Sequence, residues 1–412
     1  MILVDFDMQI MSCSIPWLRG KLITAVTTLC VFSPLLAYGV ELTGHIVFEG
    51  RYFTEEPKYA SQKEHDASIV VEPELYHALG NGARLVLKPF VRLDSNTDQR
   101  SHWDIREASV LYPTEDWEVE VGLSKVFWGA TEFVHLVDII NQADSVENFS
   151  GEEKLGQPML HLTVPLHQGM IEAFLLPWFR ERTFPGPKDR LRSTPHIDTD
   201  SPLYESAAEQ SHPDLALRYS HTAGNADVGL YHFIGTSRDP DLLLGGDRLH
   251  PKLLPFYRQI GQTGLDVQMV AGDWLLKGEA LYRIGQGRSF AAGVCGFEYT
   301  VYGLYESGAD LGIIGEYAFD DRADKSLTFF NNDVIGGLRL ALNDAAGTEI
   351  KAGIMKDIEF STCMFSAEAE HRLGEHLKLH LEVLLLVDPA EQDAVLPLEQ
   401  DSHFTVELQY FF

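Results

Sequence analysis

The chain has 412 residues, with 32 Lys and Arg against 61 Asp and Glu, and a formal charge of −29. That acid excess excludes a nucleic-acid binder, which needs a basic face to meet phosphates. The 23 Phe, 15 Tyr and 6 Trp exclude a chain that never packs, and 4 Cys are too few for a disulfide scaffold. Mean hydropathy is close to zero, as in an ordinary soluble protein, so the order of residues must decide the class.

Residues 1–39 read as a cleaved signal peptide. Arg19 and Lys21 precede an uncharged apolar run, Leu22 to Leu36, which ends at Ala37-Tyr38-Gly39 with small residues where signal peptidase reads. The run is shorter than the ~20 residues that span a bilayer as a helix, and Leu29 is too large to precede a lipidated Cys30. Met8 or Met11 is an alternative start. Cleavage after Gly39 removes Asp5, Asp7, Arg19 and Lys21, whose charges cancel, so the mature chain stays at −29. It also removes Cys13 and Cys30. Cys295 and Cys363 remain in separate expected strands and read as two small apolar side chains.

After residue 40 no stretch has the length of apolar residues that a transmembrane helix needs. Strict alternation recurs instead. Val40, Leu42, Ile46, Phe48 and Tyr52 share one face of a strand, with Glu41, Thr43, His45, Glu49 and Arg51 on the other. A period of two is a strand with one apolar face. About 18 such segments follow, near 40–53, 66–78, 83–94, 104–112, 117–125, 157–165, 169–179, 214–221 and 226–235. The remainder fall near 256–270, 274–283, 290–301, 309–319, 332–343, 348–357, 363–373, 377–387 and 402–412. Their length suits tilted strands crossing a membrane.

The connections alternate short and long. Tight turns at Gly80-Asn81-Gly82, Ala223-Gly224-Asn225, Ala271-Gly272-Asp273, Ala345-Ala346-Gly347 and Gly374-Glu375-His376 use residues that tolerate positive φ. Between them lie long polar connections at 126–156, 180–213, 236–255 and 388–401. Segregation of long loops to one end has no reason in a soluble sandwich, but it matches short periplasmic turns and long extracellular loops. The expected fold is therefore all-β, a transmembrane antiparallel β-barrel of about 18 strands, with 16 as the alternative, formed by residues 40–412. Closure removes the unpaired edges that hydrocarbon does not tolerate.

The last segment places Phe404, Val406, Leu408, Tyr410 and Phe412 on one face and ends on an aromatic. It resembles the C-terminal assembly signal of bacterial outer-membrane β-barrel proteins. That resemblance implies recognition by the barrel-assembly machinery, an outer-membrane location, and lipid and lipopolysaccharide as neighbours. The general plan resembles porins across the mature chain, as pattern rather than as a residue-by-residue motif. The segment from Trp128-Gly129 to Asn141-Gln142-Ala143-Asp144 loosely resembles a stretch in some porin-like families, and names no substrate. Homo-oligomers are common in those families, although no interface signal shows here.

The connection 126–156 carries Val134, Leu136, Val137, Ile139 and Ile140, too apolar for a freely solvated loop. In porins the third extracellular loop folds inward and narrows the channel. The same is expected here, with Glu132, Asp138 and Asp144 lining the constriction; an external loop folded over the rim is the alternative. Arg84, Lys88 and Arg92 form a column on the lumen side of the third strand, with Glu118 and Glu120 two strands away to offset them. They read either as a transverse field acting on a solute or as wall charges that keep the lumen wet. Trp117, Trp128, Trp178 and Trp274 fall near strand ends, where an aromatic girdle belongs.

No HExxH, GxSxG, P-loop or zinc-type Cys/His spacing occurs. His196 with Asp198 and His212 with Asp214 sit in a polar connection, where a solvated His is the simpler reading. No enzyme, metal or cofactor is expected. Sixteen or more strands leave an aqueous channel rather than a filled lumen. The sequence therefore points to a channel for small hydrophilic solutes, with a closed barrel serving as receptor or structural protein as the alternative.

Overall fold

The alternation in the sequence becomes one continuous antiparallel sheet. The computed structural model describes residues 39–148, 150–322 and 330–412; the expected signal peptide up to residue 38 lies outside them. In chain order the first strands are β1 (Val40–Phe53), β2 (His65–Gly80), β3 (Ala83–Asp94), β4 (Trp103–Pro113), β5 (Glu118–Ser124), β6 (Gln157–Pro165) and β7 (Met170–Leu176). Then come β8 (Leu203–Tyr204), β9 (Asp214–Ala223), β10 (Ala226–Thr236), β11 (Asp241–Gly246), β12 (Pro251–Tyr257), β13 (Gln259–Ala271) and β14 (Trp274–Ile284). The last are β15 (Phe290–Val301), β16 (Asp310–Asp320), β17 (Asn332–Ala341), β18 (Glu349–Asp357), β19 (Cys363–Arg372), β20 (Leu377–Val387) and β21 (His403–Phe411).

Eighteen of these form a single sheet in which every strand pairs with its sequential neighbour. β1 pairs with β2 on one side and β21 on the other, so the sheet closes. The 18 expected strand segments coincide with the 18 barrel strands, and all five expected tight turns join neighbouring strands at one end. Two boundaries differ. The strand expected over 169–179 stops at Leu176, and the one expected over 256–270 starts at Gln259. In the second case the apolar run is shared, because Pro251–Tyr257 belongs to a separate sheet with β8 and β11. The connections 180–213 and 236–255, expected to be solvated, thus build a small outer sheet at the loop end. It is tied by Lys252 donating to Asp198 and Tyr204 donating to Glu181. The Lys252 ammonium holds the Asp198 carboxyl below its ordinary range. Burial, reinforced by Glu181, pushes the Tyr204 phenol up.

The outward positions form an apolar belt. Phe48, Val121, Leu217, Leu230, Leu338 and Val406 are 48–56% exposed. A belt of such side chains around a closed sheet suits hydrocarbon rather than water. Phe404, Leu408 and Tyr410 join Val406 on this face, while Phe412 lies just past the strand. Trp117 and Trp274 stand half-exposed at the turn end, where the expected girdle lies; Trp128 is buried inside the barrel. Cys295 and Cys363 are free, on β15 and β19.

The closing seam is tight at Gly44, whose N–H donates to the Phe412 carbonyl at 3.2 Å and whose carbonyl accepts from the Phe412 N–H at 3.1 Å. Its φ is +151°, and a Cβ there would lie 2.6 Å from the Glu72 carbonyl oxygen. Replacing Gly44→Val is expected to cost about 2–4 kcal/mol. The check is the urea midpoint of the folded barrel; an unchanged midpoint would refute the close approach of β2 to Gly44.

Candidate functional site

An 18-stranded barrel is too wide for its wall side chains to meet across the middle. Segment 125–156 occupies much of that space. Trp128, Val137, Ile139 and Ile140 are buried against Met159, Phe174, Leu176, Ala216, Tyr231, Phe233 and Ile260, on β6, β7, β9, β10 and β13. Each apolar side chain buried in this way contributes about 1.5–3 kcal/mol. Asn141 stitches the base of the segment: its amide donates to the carbonyls of Ser124 and Leu155, and its Oδ1 accepts from the Val126 N–H.

The tip is held by carboxylates from the wall. Glu279 of β14 accepts from the N–H groups of Ala130 (2.7 Å), Thr131 (3.0 Å), Leu136 (2.7 Å) and Val137 (3.2 Å), and from the Thr131 hydroxyl (2.7 Å). Glu316 of β16 accepts from the N–H groups of Glu132 at 2.6 Å and Phe133 at 3.1 Å. Glu132 returns the contact. Its carboxylate pairs with Lys277 at 3.1 Å, with Lys351 at 3.8 Å and with Arg339. Phe133 lies over two glycines of the facing wall; a Cβ at Gly353 would fall 2.7 Å from its ring, and one at Gly337 2.8 Å.

A second anchor joins the segment to the wall formed by β1, β3 and β4. Glu147 takes Arg92 Nη2 at 2.7 Å, and Arg92 also reaches Glu49 Oε2 at 2.7 Å. Asp144 faces Arg106 Nη1 at 2.7 Å and accepts from the Thr183 hydroxyl at 2.6 Å. Asp144 is fully buried, so it is a clamp under the segment and not the pore-lining residue expected from the sequence. His102, Asp144 and Glu147 bring three donor atoms within 4.8 Å of one another. Each carboxylate already faces a guanidinium, and two fixed cations oppose a metal ion there, so the cluster serves as an ion-pair network.

The remaining candidates are distributed as follows. Lys88 and Arg92 both point inward, but they are matched by Glu74 and Glu107 (3.4 and 3.3 Å) and by Glu49 and Glu147, not by Glu118 or Glu120. Glu120 instead accepts from the Ser124 hydroxyl and lies 4.0 Å from His161. Arg84 is exposed toward the turn end. The expected offset across two strands is therefore replaced by nearer partners. Asp138 is held by Lys154 at 3.1 Å. His212 lies 3.1 Å from Asp214, whose carboxylate is already engaged by Arg238 and the Thr236 N–H.

Sequence reasoning missed Arg106, and the cause is local. Pro89 has no N–H to donate, and the β3–β4 register shifts between Lys88 and Pro89. The extra residue lets both Arg106 and Glu107 reach inward partners, which a strict period of two forbids. A proline inside an alternating run was the available signal.

With the segment in place, the open lumen is an eccentric cavity of about 800 Å3. Its walls are β1–β3 and β14–β21, together with the exposed face of the segment. Among the described residues it is lined by twelve carboxylates and nine Lys or Arg side chains.

The fold is a closed, 18-stranded antiparallel β-barrel. Among solved structures the chain is similar to a triple mutant of Rhodopseudomonas blastica porin at 10% identity and a TM-score of 0.45, and to another mutant of Rh. blastica porin at 12% identity and 0.43. Each comparison covers 90% of this chain and 100% of that one. No protein-family model and no curated protein matches.

Removing the Glu279 carboxylate leaves four backbone donors and one hydroxyl to find other partners. Glu279→Ala is expected to cost the tip about 3–5 kcal/mol, typical of breaking a buried charged network. Amide hydrogen exchange at residues 130–137 of the folded barrel should then speed up as they leave their seat. Exchange identical to wild type would show that Glu279 does not hold the tip.

Proposed function

We propose that the protein is an outer-membrane diffusion channel for small hydrophilic solutes that prefers cations. The observation carrying this reading is which lining charges are already engaged. Eight of the nine basic side chains have a carboxylate within 4 Å: Arg51, Arg92, Lys154, Arg182, Arg238, Arg283, Arg322 and Lys351. Lys125 is the exception. Glu72, Glu382, Glu152 and Glu153 have no cation within that distance among the described residues, and Glu407 accepts only from the Gln409 amide at 2.9 Å. The free charge facing the cavity is therefore negative. Within the Debye length of about 8 Å at physiological salt, such groups raise local cation concentration.

The apolar belt, the closed ladder and the aromatic strand ends favour a membrane setting for this barrel. The loop end, bearing the outer sheet, faces outward from the cell on this reading, and the tight turns face the periplasm. Solute size is set by the seat of 130–137, and sign by the unpaired carboxylates.

Reversal potential across a KCl gradient in a planar bilayer tests this. The expected sign is that of potassium as the more permeant ion. In the triple variant Glu72→Gln, Glu382→Gln, Glu407→Gln the potassium-to-chloride permeability ratio should fall by about threefold. A folded barrel that gives no channels would instead favour a closed receptor or structural barrel.

A further inference from the structure

The cavity wall is not uniformly polar, and its apolar part has a definite place. Inward positions on adjacent strands form rows around the lumen. On β18 to β20 one row contains Met355 and Met364, directly paired; the next holds Gly353, Ser366 and Leu384; the third holds Lys351, Glu368 and Glu382. The Phe133 ring covers Gly353, so the middle row presents an aromatic ring and a leucine. Rows are two residues apart along a strand, about 7 Å. Phe127 lines the same cavity and stands 61% exposed, its ring edge-on to His135 at 5.0 Å.

An aromatic held open to a water-filled lumen forgoes burial worth about 25 cal/mol per Å2. A solute with an apolar body recovers that term. The carboxylate row one step below the apolar rows adds the second requirement. Glu382 has no cation within 4 Å, while Lys351 sits 3.4 Å from Glu368 and 6.0 Å from the Phe133 ring centre. That lysine already adopts the arrangement a cationic solute would take, an ammonium between a carboxylate and an aromatic face.

From this juxtaposition we infer that the channel binds and passes organic ammonium ions carrying an apolar or aromatic body, in preference to organic anions of the same shape. The inference rests on the channel reading above and specifies its solute class. The apolar body lies along Phe127, Phe133, Met364 and Leu384, and the ammonium group is directed to Glu382 and Glu407.

The test is block of potassium current through the whole barrel in a planar bilayer by phenethylammonium, against phenylacetate as the anion of similar shape. Phenethylammonium should reduce the current saturably, and phenylacetate should not. Phe127→Ser and Glu382→Gln, tested separately, should each raise the half-blocking concentration by about fivefold or more. Equal block by both ions, or no block of an open potassium channel, overturns the solute class and leaves the channel intact. Absence of any potassium current overturns the channel reading and this inference with it. The wild-type comparison of the two ions decides the matter even where a variant does not fold.

Discussion

The Glu279 carboxylate accepts five hydrogen bonds from residues 130–137, and the shape of the lumen follows from that one grip. A single buried carboxylate would ordinarily be a burden, since removing its charge from water costs several kcal/mol. Here backbone donors surround it, so the charge is satisfied by groups that would otherwise be orphans inside the barrel. The tip in turn supplies Glu132 as a shared partner to Lys277, Arg339 and Lys351, which the wall also pairs with Glu298 and Glu368. Wall and segment therefore complete each other electrostatically. That mutual need explains how a polar-walled lumen can hold a folded segment without a continuous hydrophobic core.

The apolar cluster around Trp128 works differently. It fixes the stem of the segment against β6 to β13, whereas the carboxylates fix the tip against β14 to β18 and Glu147 and Asp144 fix the return against β3 and β4. Hydrophobic burial is non-directional and sets only which wall is covered. The charged contacts set depth and register, because each requires particular donors at hydrogen-bonding distance. The open cavity is what these two kinds of constraint leave vacant.

Much of the barrel was legible because its code is local. A period of two, punctuated by Gly, Asn and Asp turns, is written strand by strand, and closure follows from the need to pair every edge. The outer sheet was hidden because β12 and β13 are separated by Arg258 alone: the expected strand 256–270 took in the end of β12, and the rest of β12 fell within the expected polar connection 236–255. The column Lys88 and Arg92 was legible as an inward face, but its partners were not. Glu74 and Glu107 lie on neighbouring strands, whereas Glu147 comes from the segment, and nothing in the spacing of residues distinguishes these from Glu118. Asp144 was misplaced for the same reason. Sequence shows that a carboxylate is near a lumen, not whether it faces water or a guanidinium.

The net charge of −29 can be divided on physical grounds. Around the cavity acid and base nearly balance, twelve against nine, and most of the base is tied to acid. Balanced pairs of this kind stiffen the wall but act weakly on a passing ion, because each pair is a short dipole whose field decays quickly in a wet lumen. The few unmatched groups carry the uncompensated charge of the cavity. Glu72, Glu382 and Glu407 lie on β2, β20 and β21, close to the seam where the sheet closes on β1. The tip of the segment meets the wall at Glu279 and Glu316, while its return is tied to the seam side through Arg92, which bridges Glu147 and Glu49. Because the tip of 125–156 is held by Glu279 and Glu316, Glu72, Glu382 and Glu407 are left facing the open cavity.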